Sequence, residues 1–122
     1  MTELVLYDDA IARAFEPFAL TRPFGEMRAG IALGRERWEG AMRGAAAGAL
    51  VAEHLRDFDE PGAARAVREA RAGAIVANTR CLVPLGWIAP DADVWTCDGR
   101  IAAVRLSALL QEEALKDGAA PL

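Results

Sequence analysis

Leu4, Val5, Leu6 and Tyr7 form an unbroken apolar run that stops at Asp8 and Asp9, the pattern of a strand buried on both faces that runs into a loop. Residues 10–24 carry Pro17 and Pro23 among scattered apolar positions, which predicts a shaped loop rather than a long helix. Met27, Ile31, Gly34, Trp38 and Met42 then recur at helical spacing, with Arg35, Glu36, Arg37 and Glu39 on the other faces, predicting a helix over 25–43. A Gly/Ala breaker at 44–48 precedes a short strand over 49–52 and a polar turn at 56–62. Pro61 suits a first helical turn and Gly73 a stop, and the weak stripe of Ala64, Val67 and Ala70 or Arg71 between them predicts a second helix.

The Ile, Val, Leu and Cys of 74–83, ending at Pro84, predict another buried strand. Val94–Cys97 and 100–104 flank Asp98 and Gly99, two residues that tolerate positive φ and so predict a tight hairpin. A third helix is expected from Ser107, with Leu106, Leu109, Leu110 and Ala114 on one face and fraying over 118–122. This order predicts one α/β domain spanning 1–122, with a mainly parallel sheet and a β-hairpin. Ligands of such sheets sit beyond the carboxyl ends of the strands, so the loops after Tyr7 and Ala77 are where chemistry is sought.

With 122 residues, 53% of them hydrophobic, the chain can bury a core of its own. No stretch approaches the roughly 18 apolar residues of a membrane span, and the first residues lack the features of a signal peptide. A cytoplasmic location away from membranes is therefore expected. The net charge of −4 argues against nucleic-acid binding, which draws on neutralised phosphates. Lys116 is the only lysine, so contacts to a phosphate in the body of the domain fall to arginine forks or backbone amides. Cys81 and Cys97 are too far apart in sequence for a CxxC pair and read as buried strand residues kept reduced.

The segment 20–30 concentrates Arg22, Pro23, Gly25, Arg28 and Gly30 at the start of the first predicted helix. Amides there could hold an anion, with Arg22 on a proline-stiffened loop and Arg28 forking onto the same oxygens. The competing reading pairs Arg22 with Asp8 or Asp9 and leaves Arg28 solvated. Asp8 and Asp9 are either a strand-end metal site or, more ordinarily, caps for the following loop. His54, the only histidine, has no partner cluster and reads as a surface residue. It also rules out placing a Ser-His-Asp or Cys-His arrangement. Asp98 reads as a turn residue, and Trp38, Trp87 and Trp95 as core or edge aromatics.

The runs LVLYDD, EPFALTRPFGEMRAGIALGRERWEG, AIVANTRCLVP and DGRIAAVRL resemble, in order, the amino-terminal domain of sugar nucleotidyltransferases related to N-acetylglucosamine 1-phosphate uridylyltransferase. The most specific part is Thr21-Arg22-Pro23, then Arg28-x-Gly30, then Glu36-x-Trp38. The resemblance implies a Rossmann-like three-layer fold, here an incomplete version. It also implies a nucleoside triphosphate and a sugar 1-phosphate as substrates, Mg2+ as cofactor, and often a carboxyl-terminal β-helix. Arg22 and Pro23 fall where such enzymes carry a Lys-Pro pair on the phosphates, making Arg22 a charge clamp and the catalytic candidate. Pro23, Gly25, Arg28, Gly30, Asn78 and Arg80 complete the expected substrate-binding set.

Three departures keep a second reading open, that of a non-catalytic assembly or regulatory domain that retains the fold. No glycine-rich loop follows the first strand. Arg80 stands where related enzymes present a metal-binding aspartate, and a guanidinium cannot coordinate magnesium. The chain ends after the third predicted helix, so either it is a fragment or a partner such as a carboxyl-terminal β-helix domain supplies the rest, and the exposed edges of a short sheet suggest a homodimer.

Overall fold

The computed structural model describes residues 3–14, 22–29, 32–58 and 60–111. Residues 1–2, 15–21, 30–31, 59 and 112–122, Thr21 and Gly30 among them, lie outside the described residues. The fold is a mixed α/β arrangement around a five-stranded sheet. Its strands are β1 (Leu4–Tyr7), β4 (Ala46–Leu50), β6 (Ile75–Asn78), β7 (Val94–Cys97) and β8 (Arg100–Arg105), ordered β4-β1-β6-β8-β7. β1 pairs in parallel with β4 and with β6, while β8 is antiparallel to both β6 and β7. Four of the five strands thus point the same way, as the sequence predicts.

Burial on both faces explains the apolar run of β1. Leu4 and Leu6 face one core, which takes in Trp38, Ala41, Ile75, Ala77, Trp95 and Ala103. Val5 and Tyr7 face the other, with Leu50, Ala70, Ala74 and Val76. The hairpin between β7 and β8 turns at Asp98 and Gly99, both at positive φ, the geometry that matches strand twist with a two-residue loop. The Trp95 indole N–H donates to the Pro90 carbonyl at 3.0 Å, fixing the approach to β7.

Five expected elements differ. The helix over 25–43 contracts to α2 (Gly34–Met42). Ahead of it lie a 3-10 turn at Phe24–Glu26 and a small antiparallel pair, β2 (Arg28–Ala29) with β3 (Ala32–Leu33). The cap sets the boundary, because the Glu36 carboxylate accepts the Leu33 N–H at 2.7 Å and starts the helix there. The strand expected over 49–52 begins earlier, at Ala46, where Glu39 accepts the Ala46 N–H at 2.7 Å. The strand over 74–83 ends at Asn78, where the chain turns.

The helix expected over 61–73 is absent. Residues 65–67 of this segment instead run beside β4, the Ala49 amide donating to the Arg65 carbonyl and the Val67 amide to the Ala49 carbonyl, both at 2.9 Å. Open backbone groups of a sheet edge attract such pairing, and a weak Ala-rich stripe does not outbid it. The chain continues into β5 (Glu69–Ala70), which pairs with β9 (Leu110–Gln111). Residues 107–111, expected to open a helix, therefore end in a strand. Leu106 and Leu110 still pack on the Val5 side of the sheet, whereas Leu109, expected on the same face, is exposed.

Candidate functional site

In a parallel arrangement with β1 central, the chain leaves β1 toward β4 and returns to β6 on the opposite side. The crevice beyond the carboxyl ends of β1 and β6 is therefore the topological switch point, where α/β sheets usually bind ligands. Here it is filled by side chains. Asp8 and Asp9 follow β1, and Thr79 and Arg80 follow β6. The Thr79 hydroxyl donates to Asp8 Oδ1 at 2.6 Å, and the Phe24 amide donates to Asp8 Oδ2 at 2.8 Å. Asp8 thus staples the 3-10 turn and the β6 loop to the end of β1. Gly25 makes this close approach possible, since a Cβ there would lie 3.2 Å from Thr79 Cγ2 and 3.3 Å from Leu6 Cδ1. Pro23 is buried just before the turn.

Asp9 is the centre of a second clasp. Arg80 donates from Nε to both carboxylate oxygens, at 2.8 and 2.9 Å, and from Nη2 to Oδ2 at 2.7 Å. Asn78 Nδ2 donates to Oδ2 at 2.9 Å and the Ala12 amide to Oδ1 at 3.0 Å. The last bond caps α1 (Ala10–Arg13), so Asp9 caps the segment that follows it, whereas Asp8 bonds across to the 3-10 turn and the β6 loop. Burial is the largest influence on each and pushes both carboxyls up, but the outcomes diverge. In Asp8 burial prevails over the bonds from Thr79 and Phe24, and its pKa is raised. In Asp9 the bonds from Arg80, Ala12 and Asn78, with the charge of Arg80, outweigh burial, and its pKa is lowered.

These bonds decide whether the strand ends fit the magnesium that the resemblance implies. Both oxygens of both carboxylates are already engaged by donors. Among the described residues no group of three His, Cys, Asp or Glu side chains could hold a metal. Among the described residues, the side chains at the strand ends do not fit a metal held by the protein.

Beside the clasp, a cleft of about 410 Å³ opens between the loop after β6 and the β7–β8 hairpin. Asn78, Arg80, Cys81, Cys97, Asp98 and Arg100 line it. β7 runs parallel to β6, so the hairpin turn projects at the same carboxyl edge of the sheet as the clasp. Arg100 is exposed and makes no ion pair among the described residues. Arg80 commits Nε and Nη2 to Asp9 and still lines the cleft.

The predicted site residues thus divide. Asn78 and Arg80 come together in the clasp and the cleft. Gly25 and Pro23 form the turn that closes over the end of β1. Arg22 is not among the residues lining the cleft. It pairs with Glu60 at 2.9 Å rather than with Asp8 or Asp9, and its guanidinium lies 5.8 Å over the Phe58 ring. Arg28 lies on β2. Glu36 and Trp38, the end of the family-like motif, serve α2 as its cap and as a buried core residue.

Two features went unread in the sequence. Arg100 was hidden as a flank of the turn, although a hairpin following a parallel strand must present that turn at the ligand edge. The buried network in which Glu26 and Glu39 each accept from Arg35 at 2.7 Å was visible only as an i,i+4 pair, Arg35 to Glu39. Glu26 joins it across the β2–β3 excursion.

No helix among the described residues is long and apolar enough to cross a membrane. No curated protein and no solved structure matches the chain. A family model described as sugar nucleotidyl transferase matches residues 4–120. Nearly the whole chain is covered, the strand-end clasp, the cleft and the Arg22 loop included, and the chain accordingly belongs to the sugar nucleotidyl transferase family.

Proposed function

We propose that this domain binds nucleoside triphosphate and sugar 1-phosphate at the carboxyl edge of its sheet, and that the cleft between the β6 loop and the hairpin holds phosphate oxygens. The observation that carries this reading is Arg100, a guanidinium with no ion pair among the described residues, beside Asn78 and Arg80 in a cleft of the size that small ligands occupy. Arg100 supplies the first fork. Asp9 holds the Arg80 fork rigid, so Arg80 offers its remaining N–H groups without losing rotamer freedom on binding.

The strand order, with β1 central between parallel β4 and β6, supports the Rossmann-like arrangement such enzymes use. In the reaction an oxygen of the sugar phosphate bonds to the α-phosphorus and the bond from that phosphorus to the bridging oxygen of pyrophosphate breaks. The work of the protein is to align the three groups and to neutralise charge on the leaving pyrophosphate. Magnesium in this reading arrives on the nucleotide, because the strand-end carboxylates are occupied.

In this reading Arg22, Pro23 and Gly25 supply a second contact region, which the family resemblance extends to Arg28 and Gly30. The turn after Pro23 is tied to Asp8, which keeps the loop near the strand ends. The Arg22–Glu60 pair is about two-fifths exposed on each side, so its guanidinium exchanges Glu60 for a phosphate at a cost of about 1 kcal/mol or less.

Calorimetry of the full chain with UTP, CTP, GTP, ATP and dTTP, each with magnesium, tests this. Arg100→Ala is expected to weaken binding about ten- to hundredfold, the worth of a charge-assisted phosphate contact. Arg22→Ala is expected to weaken it less. Binding that is absent, or unchanged in Arg100→Ala with its melting temperature intact, removes the reading. Release of pyrophosphate from a sugar 1-phosphate and the bound nucleotide separates a transferase from an assembly domain.

A further inference from the structure

Cys81 and Cys97 lie 16 positions apart in sequence, yet the fold sets both against one cleft, near enough for Cys97 to act on the ionisation of Cys81. Cys81 sits in the loop after β6, where its amide donates to the Asn78 carbonyl at 3.1 Å. Cys97 ends β7 and pairs with Arg100 across the hairpin. Both line the cleft that also holds Arg80 and Arg100, one from each wall. Cys81 is half-buried and Cys97 is exposed, and both are free thiols.

We infer that Cys81 and Cys97 are a redox modification site, which a small-molecule disulfide such as oxidised glutathione converts to an intramolecular disulfide bridging the two walls of the cleft. The Cys97 thiolate, the exposed one, attacks a sulfur of the oxidant. The S–S bond of the oxidant breaks, one glutathione leaves as thiolate, and a mixed disulfide forms on Cys97. Cys81 then gives up its proton, attacks the Cys97 sulfur and expels the second glutathione. In sum, two protein thiols are oxidised and one glutathione disulfide is reduced to two glutathiones.

Cys81 suits the resolving role rather than the attacking one. Burial first, then the facing Cys97 and Asp98, push its thiol up to about 11, so it stays protonated until the mixed disulfide is beside it. Closing the bridge draws the two walls of the cleft together until the sulfurs meet at disulfide distance. The bridge fastens the hairpin that carries Arg100 to the loop that carries Arg80, and so restricts entry to the cleft. The bridge itself is independent of the nucleotide reading; its effect on phosphate binding rests on that reading.

The test treats the full chain with oxidised glutathione under non-denaturing conditions. Intact mass is expected to fall by two hydrogen atoms, with both maleimide-reactive thiols lost and the chain still monomeric on a non-reducing gel. Cys81→Ser is expected to stop at a stable glutathione adduct on Cys97, which marks the order of attack. Unmodified thiols, a double glutathione adduct or a cross-linked dimer in the native chain overturn the inference. Pyrophosphate serves as the binding probe, and its affinity is expected to fall about tenfold on oxidation and to return with dithiothreitol. A bridge that leaves pyrophosphate affinity unchanged overturns the coupling to the cleft. If reduced protein does not bind pyrophosphate at all, the nucleotide reading fails while the mass measurement still decides the bridge.

Discussion

Arg80 and Arg22 both make short ion pairs, at 2.7 Å to Asp9 and at 2.9 Å to Glu60, and contact length alone would rank them as near equals. Their surroundings do not. The Asp9 side chain is only 6% exposed and also receives Asn78 and the Ala12 amide, whereas Arg22 and Glu60 are 40% and 43% exposed. Water competes freely for the second pair and hardly at all for the first. An exposed pair contributes about 0–1 kcal/mol, while removing one member of a buried pair costs about 3–5 kcal/mol, because the other charge is stranded. The buried pair therefore shapes the site, and the exposed arginine is the one that can change partners.

The largest expected effect follows from that contrast. Asp9→Ala strands the Arg80 fork, Asn78 Nδ2 and the Ala12 amide together. Arg80 keeps some access to water, at 28% exposure, so the loss should lie near the lower end of the buried range, about 3 kcal/mol in urea denaturation. A loss no larger than that of Arg22→Ala would erase the distinction between the two arginines.

Acid titration sharpens the same point within a single dipeptide. Asp9 has a folded pKa below its ordinary value near 3.8, so its contribution is complete above that value and is lost as pH falls through the lower, folded pKa. Asp8 has a folded pKa above it. Between the two Asp8 values stability rises as pH falls, because protonation relieves the buried charge. Denaturation midpoints of Asp8→Asn and Asp9→Asn between neutral pH and pH 2 should therefore lose slopes of opposite sign. Curves displaced from the native one in the same sense would refute the assignment.

Much of this region could be read from the chain before folding. The apolar run into Asp8-Asp9 located β1, and Asp98-Gly99 located the hairpin, because both signals are local: a buried run and a φ preference. The partners of the charges were not legible. Asp9 finds Arg80 at a separation of 71 residues, and nothing nearby in sequence marks one arginine over another.

The segment 61–73 failed for a related reason. Its conformation is set by the open edge of β4, which no local pattern encodes, although Gly48 is a trace of it. A Cβ on Gly48 would lie 2.6 and 2.8 Å from the methyls of Val67, so the glycine is what lets this segment lie against the strand. Gly48→Ala should cost about 1–3 kcal/mol by overpacking, and Val67→Ala in the same chain should restore part of it. Destabilisation without rescue would mean that the two segments do not meet in this way.

The smallest expected effect completes the contrast. Arg22→Ala removes an exposed ion pair and a guanidinium 5.8 Å over Phe58, each worth at most about 1 kcal/mol at an exposed site. Together they should lower stability by about 0.5–1 kcal/mol at low salt. A double-mutant cycle with Glu60→Ala isolates the charge pair, which should shrink toward zero in 1 M salt as the Debye length falls to about 3 Å. Arg22→Lys keeps the charge but gives up the planar fork and its stacking, so it should retain the salt-sensitive part and lose the rest. A coupling energy above about 2 kcal/mol, insensitive to salt, would place Arg22 in the same class as Arg80. Its guanidinium would then be a fixed structural group, unable to leave Glu60 for a phosphate.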